Sequence, residues 1–97
     1  MPRVIVIGGA NVDIKGRARG DYVAGTSNPG DVTVSAGGVG RNIAENLAHL
    51  GMSVSLVTAL GDDANGQLLR RACADAAVDL SMALTVSEPT GSYLAIL

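Results

Sequence analysis

Three polar side chains stand beside glycines in a pattern suited to gripping a hydroxylated ligand. Asn11 and Asp13 follow Gly8 and Gly9, and Asn42 follows Gly37, Gly38 and Gly40. An amide offers both donors and an acceptor, and a carboxylate accepts from two hydroxyls at once, so a polyol is the ligand this set suits. Gly37 and Gly38 let backbone come close to such a ligand, because no Cβ intervenes. A helix opening near Gly40 presents free N–H groups, with Asn42 projecting from its first turn. Asn and Asp after a strand also serve simply as turn formers, and paired glycines as a bend, so spacing leaves both readings open.

The same glycines do not make a nucleotide loop. A dinucleotide fingerprint starting at Gly8 meets Ala10 and Asp13 where glycines belong, and one starting at Gly38 meets Ile43. A phosphate loop ending in Gly-Lys is excluded because no lysine follows Lys15.

Alternating strand and helix signals must position these residues. Residues 4–7 are a β-branched apolar run ended by Gly8 and Gly9, which reads as a central parallel strand buried on both faces. Asn11 and Asp13 then stand past its carboxyl end, where open α/β sheets place ligands. Residues 15–35 mix charges, glycines and the turn formers Ser27, Asn28, Pro29 and Gly30, an excursion outside the main sheet whose residues 32–35 alternate like a half-exposed strand. A helix follows from Gly37-Gly38 to about Leu50, with Ile43, Ala44, Leu47, Ala48 and Leu50 on its apolar face and Gly51 as its stop. Residues 54–60 form the next strand. Asp62 or Asp63 caps a second helix over about 64–77, with Leu68, Leu69, Ala72, Cys73 and Ala76 as its stripe. Residues 80–86 read as a further strand, Glu88 to Gly91 as a turn, and 92–97 as the start of another strand.

Composition agrees with an α/β layer structure. Hydrophobic residues make up 47% of the 97, with no Phe or Trp, so small aliphatic side chains and glycine must fill the core. A formal charge of −2 offers no footprint for nucleic acid. Cys73 is the only cysteine, which rules out an internal disulfide and reads as a small buried thiol. The apolar run near the start is too short for a signal peptide or a membrane span, so no membrane association and a cytoplasmic location are expected. Because the chain ends inside an apolar strand, it is expected to be a piece of a longer protein.

The ordered combination Gly37-Gly38-Val39-Gly40-Arg41-Asn42-Ile43-Ala44, with Gly51 and Gly61 at their intervals, resembles the N-terminal signature of the ribokinase-like (PfkB) carbohydrate kinases. Gly8-Gly9-Ala10-Asn11-Val12-Asp13 resembles that family's first strand and substrate turn. Gly61-Asp62-Asp63 with Gly66, and Pro89-Thr90-Gly91, look like further landmarks. The resemblance implies a three-layer αβα ribokinase-like fold, incomplete over residues 1–97, with 15–35 and about 91–97 in a small β lid. It assigns Asn11, Asp13 and Asn42 to sugar hydroxyls, with Gly37 and Gly38 lining the site. Lid closure would exclude water from the reaction, and the lid is also a candidate homodimer contact.

Within the family, residues 26–30 and Gly-Gly-Val-Gly-Arg-Asn look most like pseudouridine kinases, which makes Asn28 and Ser92 lid candidates for a uracil-like base. The implied reaction is ATP-dependent phosphorylation of a ribose hydroxyl, the 5′-hydroxyl of pseudouridine in particular, with Mg²⁺ and a monovalent cation as a further candidate. The family's phosphate-binding Gly-Ala-Gly-Asp run, which supplies the catalytic base, has no match here. No catalytic or metal-binding residue is therefore assigned, and the chain by itself should not transfer phosphate. A ribokinase-type sugar kinase and a stand-alone sugar or nucleoside-binding module are the alternatives.

Overall fold

The computed structural model describes residues 3–97. Strands and helices run in the order β1 (Arg3–Ile7), β2 (Asn11–Ala18), β3 (Gly30–Gly37), α1 (Val39–His49), β4 (Ser53–Val57), β5 (Ala59–Gly61), α2 (Ala64–Asp75), β6 (Val78–Asp79), β7 (Leu84–Val86) and β8 (Ser92–Ile96). Three sheets result, with strand orders β1-β4-β6, β3-β2-β8 and β5-β7. The first is parallel throughout, Val4 opposite Val54 and Val54 opposite Val78. In the second, β2 and β3 are an antiparallel hairpin and β8 joins β2 in parallel, so Ile14 lies between Val34 and Leu94.

Two connected cores hold these layers. Val54, Leu56 and Val78 of the parallel sheet pack with Ala44 of α1 and with Cys73 and Ala76, against partly buried Val4 and Val6. Val12, Leu60 and Leu69 form the second, with Ala10 and Leu80 touching both. The small side chains anticipated from composition permit this close helix-on-sheet approach. A Cβ on Gly40 would sit 2.8 Å from Gly8 Cα, so two bare backbones meet where α1 starts against the end of β1.

The helix ends obey local chemistry. At the end of α1, Gly51 has φ +88°, its N–H donates to Ala48 O at 3.0 Å, and Met52 N–H donates to Leu47 O at 3.2 Å. That is a Schellman stop. Asp63, rather than Asp62, caps α2 by accepting from Gly66 N–H at 2.7 Å.

Several expected boundaries move. β1 is buried on one face only: Val4 and Val6 turn toward the helices, while Ile5 and Ile7 face away, Ile7 being 80% exposed. Among the described residues both helices with buried stripes lie on the other side. The excursion begins at Asn11 and not Lys15, since β2 pairs with β3 from Asn11 opposite Gly37 onward. The strand expected at 54–60 breaks at Thr58, because β5 leaves β4 to pair with β7. The strand expected at 80–86 shrinks to β7, Leu84–Val86, with the short β6 ending before it at Asp79. Asp79 accepts from the Ser81 N–H at 2.8 Å and turns the chain there. On α1 and at its C-terminal cap, Ile43 and Leu50 are exposed while Arg41 is buried, the reverse of what polarity suggests.

Candidate functional site

The strand period of two sets the site. In β2, Val12 points into the second core, so Asn11 and Asp13 on either side must share the opposite face. Asn11 Nδ2 donates to Asp13 Oδ1 at 2.7 Å, which steadies the carboxylate and leaves the amide oxygen free. The carboxylate fits because β3 ends in Gly37, where a Cβ would meet Asp13 Cγ at 2.6 Å.

Gly38 then turns the chain into α1 with φ +98° and ψ 137°, and no side chain caps that helix. Arg41 N–H donates to Gly9 O at 3.1 Å, tying the first turn of α1 to the end of β1. Asn42, in the same turn, is exposed. Together these elements wall a cleft of about 480 Å³ lined by Asn11, Asp13, Gly38, Val39, Asn42, Gly91, Ser92 and Tyr93. Its upper wall comes from β8, positioned through the Val12 N–H bond to Gly91 O at 3.0 Å.

Five of the seven residues singled out from sequence therefore meet at one place: Asn11, Asp13, Gly38, Asn42 and Ser92. Gly37 is buried beneath the Asp13 carboxylate and makes room for it instead of lining the cleft. Asn28 does not join them. Its Oδ1 accepts from Val23 N–H at 2.8 Å and its Nδ2 donates to Val23 O and Thr26 O, so the side chain closes its own loop. It borders a separate hollow with Tyr22 and Gly16.

Val39 and Tyr93 are the side chains lining the cleft that the sequence reading did not assign to the site. Both are large, apolar and open, 76% and 58% exposed. The signal was present for Tyr93, one of only two aromatic residues, in a strand expected next to the site.

A second polar cluster holds the β8 wall in place. Asp63 Oδ1 accepts from the Thr90 hydroxyl at 2.6 Å, and Asp63 Oδ2 from the Thr90 N–H at 2.8 Å. The buried Thr90 hydroxyl in turn accepts from Gly61 N–H at 2.8 Å. One carboxylate thus caps α2 and clamps the turn that leads into Ser92 and Tyr93. The Thr90 hydroxyl, then the Thr90 and Gly66 N–H groups, hold the Asp63 carboxyl below the ordinary carboxylate range.

A depressed folded-state value means that the native state is favoured with the group ionised. The contribution is fully present above the unfolded-state value near 4 and is lost as pH falls through the folded one. Asp79 behaves in the same sense, held down chiefly by the Ser81 N–H and hydroxyl. We expect Asp63→Asn to lower the melting temperature of the full-length protein at pH 7. The variant should also lose less stability than wild type between pH 6 and 3. Thermal unfolding across that range checks both points, and parallel acid limbs would remove Asp63 from this role.

A model of the pfkB family carbohydrate kinases matches residues 1–97. The chain is 44% identical over 93 residues to an uncharacterized sugar kinase, YeiI, of Escherichia coli K12, covering 95% of this chain and 26% of that protein. It is 42% identical over 95 residues to the pseudouridine kinase of the same bacterium, covering 97% of this chain and 30% of that one. In structure it is similar to Arabidopsis thaliana ribokinase complexed with ribose and ATP, with a TM-score of 0.88 and 33% identity, over 99% of this chain and 32% of the ribokinase chain. The chain spans less than a third of the length of each of these proteins. No helix among the described residues is long and apolar enough to cross a membrane.

Proposed function

The chain belongs to the pfkB family of carbohydrate kinases, and on that premise we propose that the full-length protein phosphorylates a nucleoside at its ribose, the 5′-hydroxyl of pseudouridine being the preferred acceptor. The observation that carries this reading is the convergence of Asn11, Asp13 and Asn42 on one cleft that Val39 and Tyr93 also line. Carboxylate and amide groups suit the ribose hydroxyls. Val39 and Tyr93 suit a planar base, since stacking on an aromatic ring contributes about 1–3 kcal/mol. A free-sugar kinase of the ribokinase type would use the polar grip but has no need of that apolar pair, and it ranks second.

ATP supplies the phosphoryl group, and Mg²⁺, with a monovalent cation as a further candidate, would neutralise its charge. The cleft's polar side chains are uncharged apart from one carboxylate, which suits hydroxyls and not phosphates. The nucleotide, its metal and the catalytic base would accordingly be held by parts of the full-length protein outside this chain, which alone binds and does not transfer. The sheet β3-β2-β8 acts as a lid that excludes water when the acceptor is in place, within a cytoplasmic enzyme.

The lid's far face carries Ile14 between Val34 and Leu94, with Val32 and Ile96 beside Gly16. A second copy presenting the same apolar row would cover it as a two-fold dimer. Light scattering of the full-length protein at the mass of a single copy would remove that contact.

The function is tested by giving the full-length protein ATP, Mg²⁺ and, in turn, ribose, pseudouridine, uridine, adenosine and fructose 6-phosphate. Phosphorus NMR should report a 5′-phosphomonoester, with pseudouridine the best acceptor by kcat/KM. Turnover of ribose or fructose 6-phosphate in preference to every nucleoside would overturn the reading.

A further inference from the structure

Arg41 is the one charged residue of α1 that the fold buries. It is only 5% exposed, and its Nε is buried with no hydrogen-bond partner among the described residues. Nη1 lies 3.5 Å from Glu45 Oε1 one turn along the helix, and Nη2 donates to Asn42 Oδ1 at 2.6 Å. A buried guanidinium that is incompletely paired costs stability, and a hydrophobic residue at this position would fill the same space without that cost. The side chain is therefore explained by something other than packing, and its shortest bond goes to a residue of the cleft.

We infer that Arg41 is a positioning residue, which fixes the Asn42 amide so that Nδ2 faces the cleft as a hydrogen-bond donor. The inference rests on the reading of Asn42 as a substrate contact. An amide can present either its oxygen or its nitrogen to a ligand, and an unrestrained Asn samples both. A guanidinium has donors only, so the atom it bonds at 2.6 Å must be the amide oxygen. With Oδ1 committed, the remaining function of Asn42 is to donate.

That orientation complements Asp13, which lines the same cleft. A carboxylate accepts the proton of a ribose hydroxyl, and the Asn42 amide donates to a hydroxyl oxygen. Two acceptors facing each other would instead leave the hydroxyl oxygens without a donor. Glu45 keeps the guanidinium in register by pairing at one side while Asn42 is bonded at the other. Lysine would keep the charge but not the planar fork that reaches both partners.

A double-mutant cycle in the full-length protein tests this, using Arg41→Met, Asn42→Ala and the pair, with pseudouridine affinity measured by isothermal titration and KM and kcat by turnover. Arg41→Met should weaken pseudouridine binding about tenfold in the wild-type background and change it less than about twofold when Asn42 is already alanine, because residues acting through one bond are not additive. KM should rise by a similar factor while kcat changes less.

Additive losses, or no loss from Arg41→Met, with Asn42→Ala still weakening binding, would overturn the positioning role and leave the cleft assignment intact. No loss from Asn42→Ala would overturn both. Should Arg41→Met not fold, Arg41→Lys keeps the charge beside Glu45. It must show the same dependence on Asn42, and wild-type affinity in Arg41→Lys would equally sink the proposal.

Discussion

Replacing Asp13 with alanine in the full-length protein is expected to weaken nucleoside binding by about 1.5–3 kcal/mol, the range for losing a charge-assisted hydrogen bond in a desolvated site. That corresponds to roughly a tenfold to a hundredfold rise in Kd. Asp13 is the only carboxylate lining the cleft, and Asn11 is turned toward it at 2.7 Å. Its removal takes away the strongest hydroxyl acceptor and frees the Asn11 amide to rotate.

The fold should tolerate the change, because Val12 carries the packing of this stretch while Asp13 lies on the other face. Asp13→Asn separates charge from shape. It retains one acceptor oxygen and should lose less affinity than alanine. Isothermal titration with pseudouridine reads all three proteins, and equal affinities would remove Asp13 from the substrate site.

The largest effect on stability is expected at Gly38. Its φ of +98° is strained for any residue with a side chain, and a Cβ there would lie 2.6 Å from Gly9 O and 2.7 Å from Ala10 Cα. Neither neighbour can retreat easily. Gly9 O accepts the Arg41 N–H that ties α1 to β1, and Ala10 packs against both cores. The backbone conformation costs about 1–3 kcal/mol and the overlap about as much again, so Gly38→Ala should lose about 2–6 kcal/mol. A loss of that size is a large share of the 5–15 kcal/mol that holds a typical domain folded.

Gly51 provides the control. Its φ is +88°, but a Cβ there meets nothing within 4 Å. Gly51→Ala should cost only the conformational part, about 1–2 kcal/mol. Denaturant unfolding of the two variants separates strain from crowding, and equal losses would refute the close approach of α1 to β1 as a constraint.

Local signals in the sequence determined what depends on neighbours along the chain. A cap on α2 at Asp62 or Asp63, and the Gly51 stop of α1, could be read because the partners of each lie within about one helical turn, although the choice of Asp63 fell to the structure. The grouping of Asn11, Asp13 and Asn42 beside glycines could likewise be read directly, since chemistry and backbone freedom are properties of residue type. Only the tertiary structure decided which of those groups meet. Asn28 has the right chemistry, yet it satisfies itself on Val23 and Thr26 within its loop. Arg41 has the composition of a surface residue and is buried, because the start of α1 abuts β1 and its guanidinium bonds Asn42.

The clamp of Asp63 on Thr90 joins positions 27 apart, and no periodicity reports such a contact. The breaks at Thr58 and near Leu80 have a similar origin. An apolar run shows that a strand can form, while the strand's extent depends on the partner that arrives beside it, as β7 does for β5. Hydrogen bonds and burial between distant segments exist only once the chain has returned on itself, and that return brought Asn42 and Asp13 to one cleft.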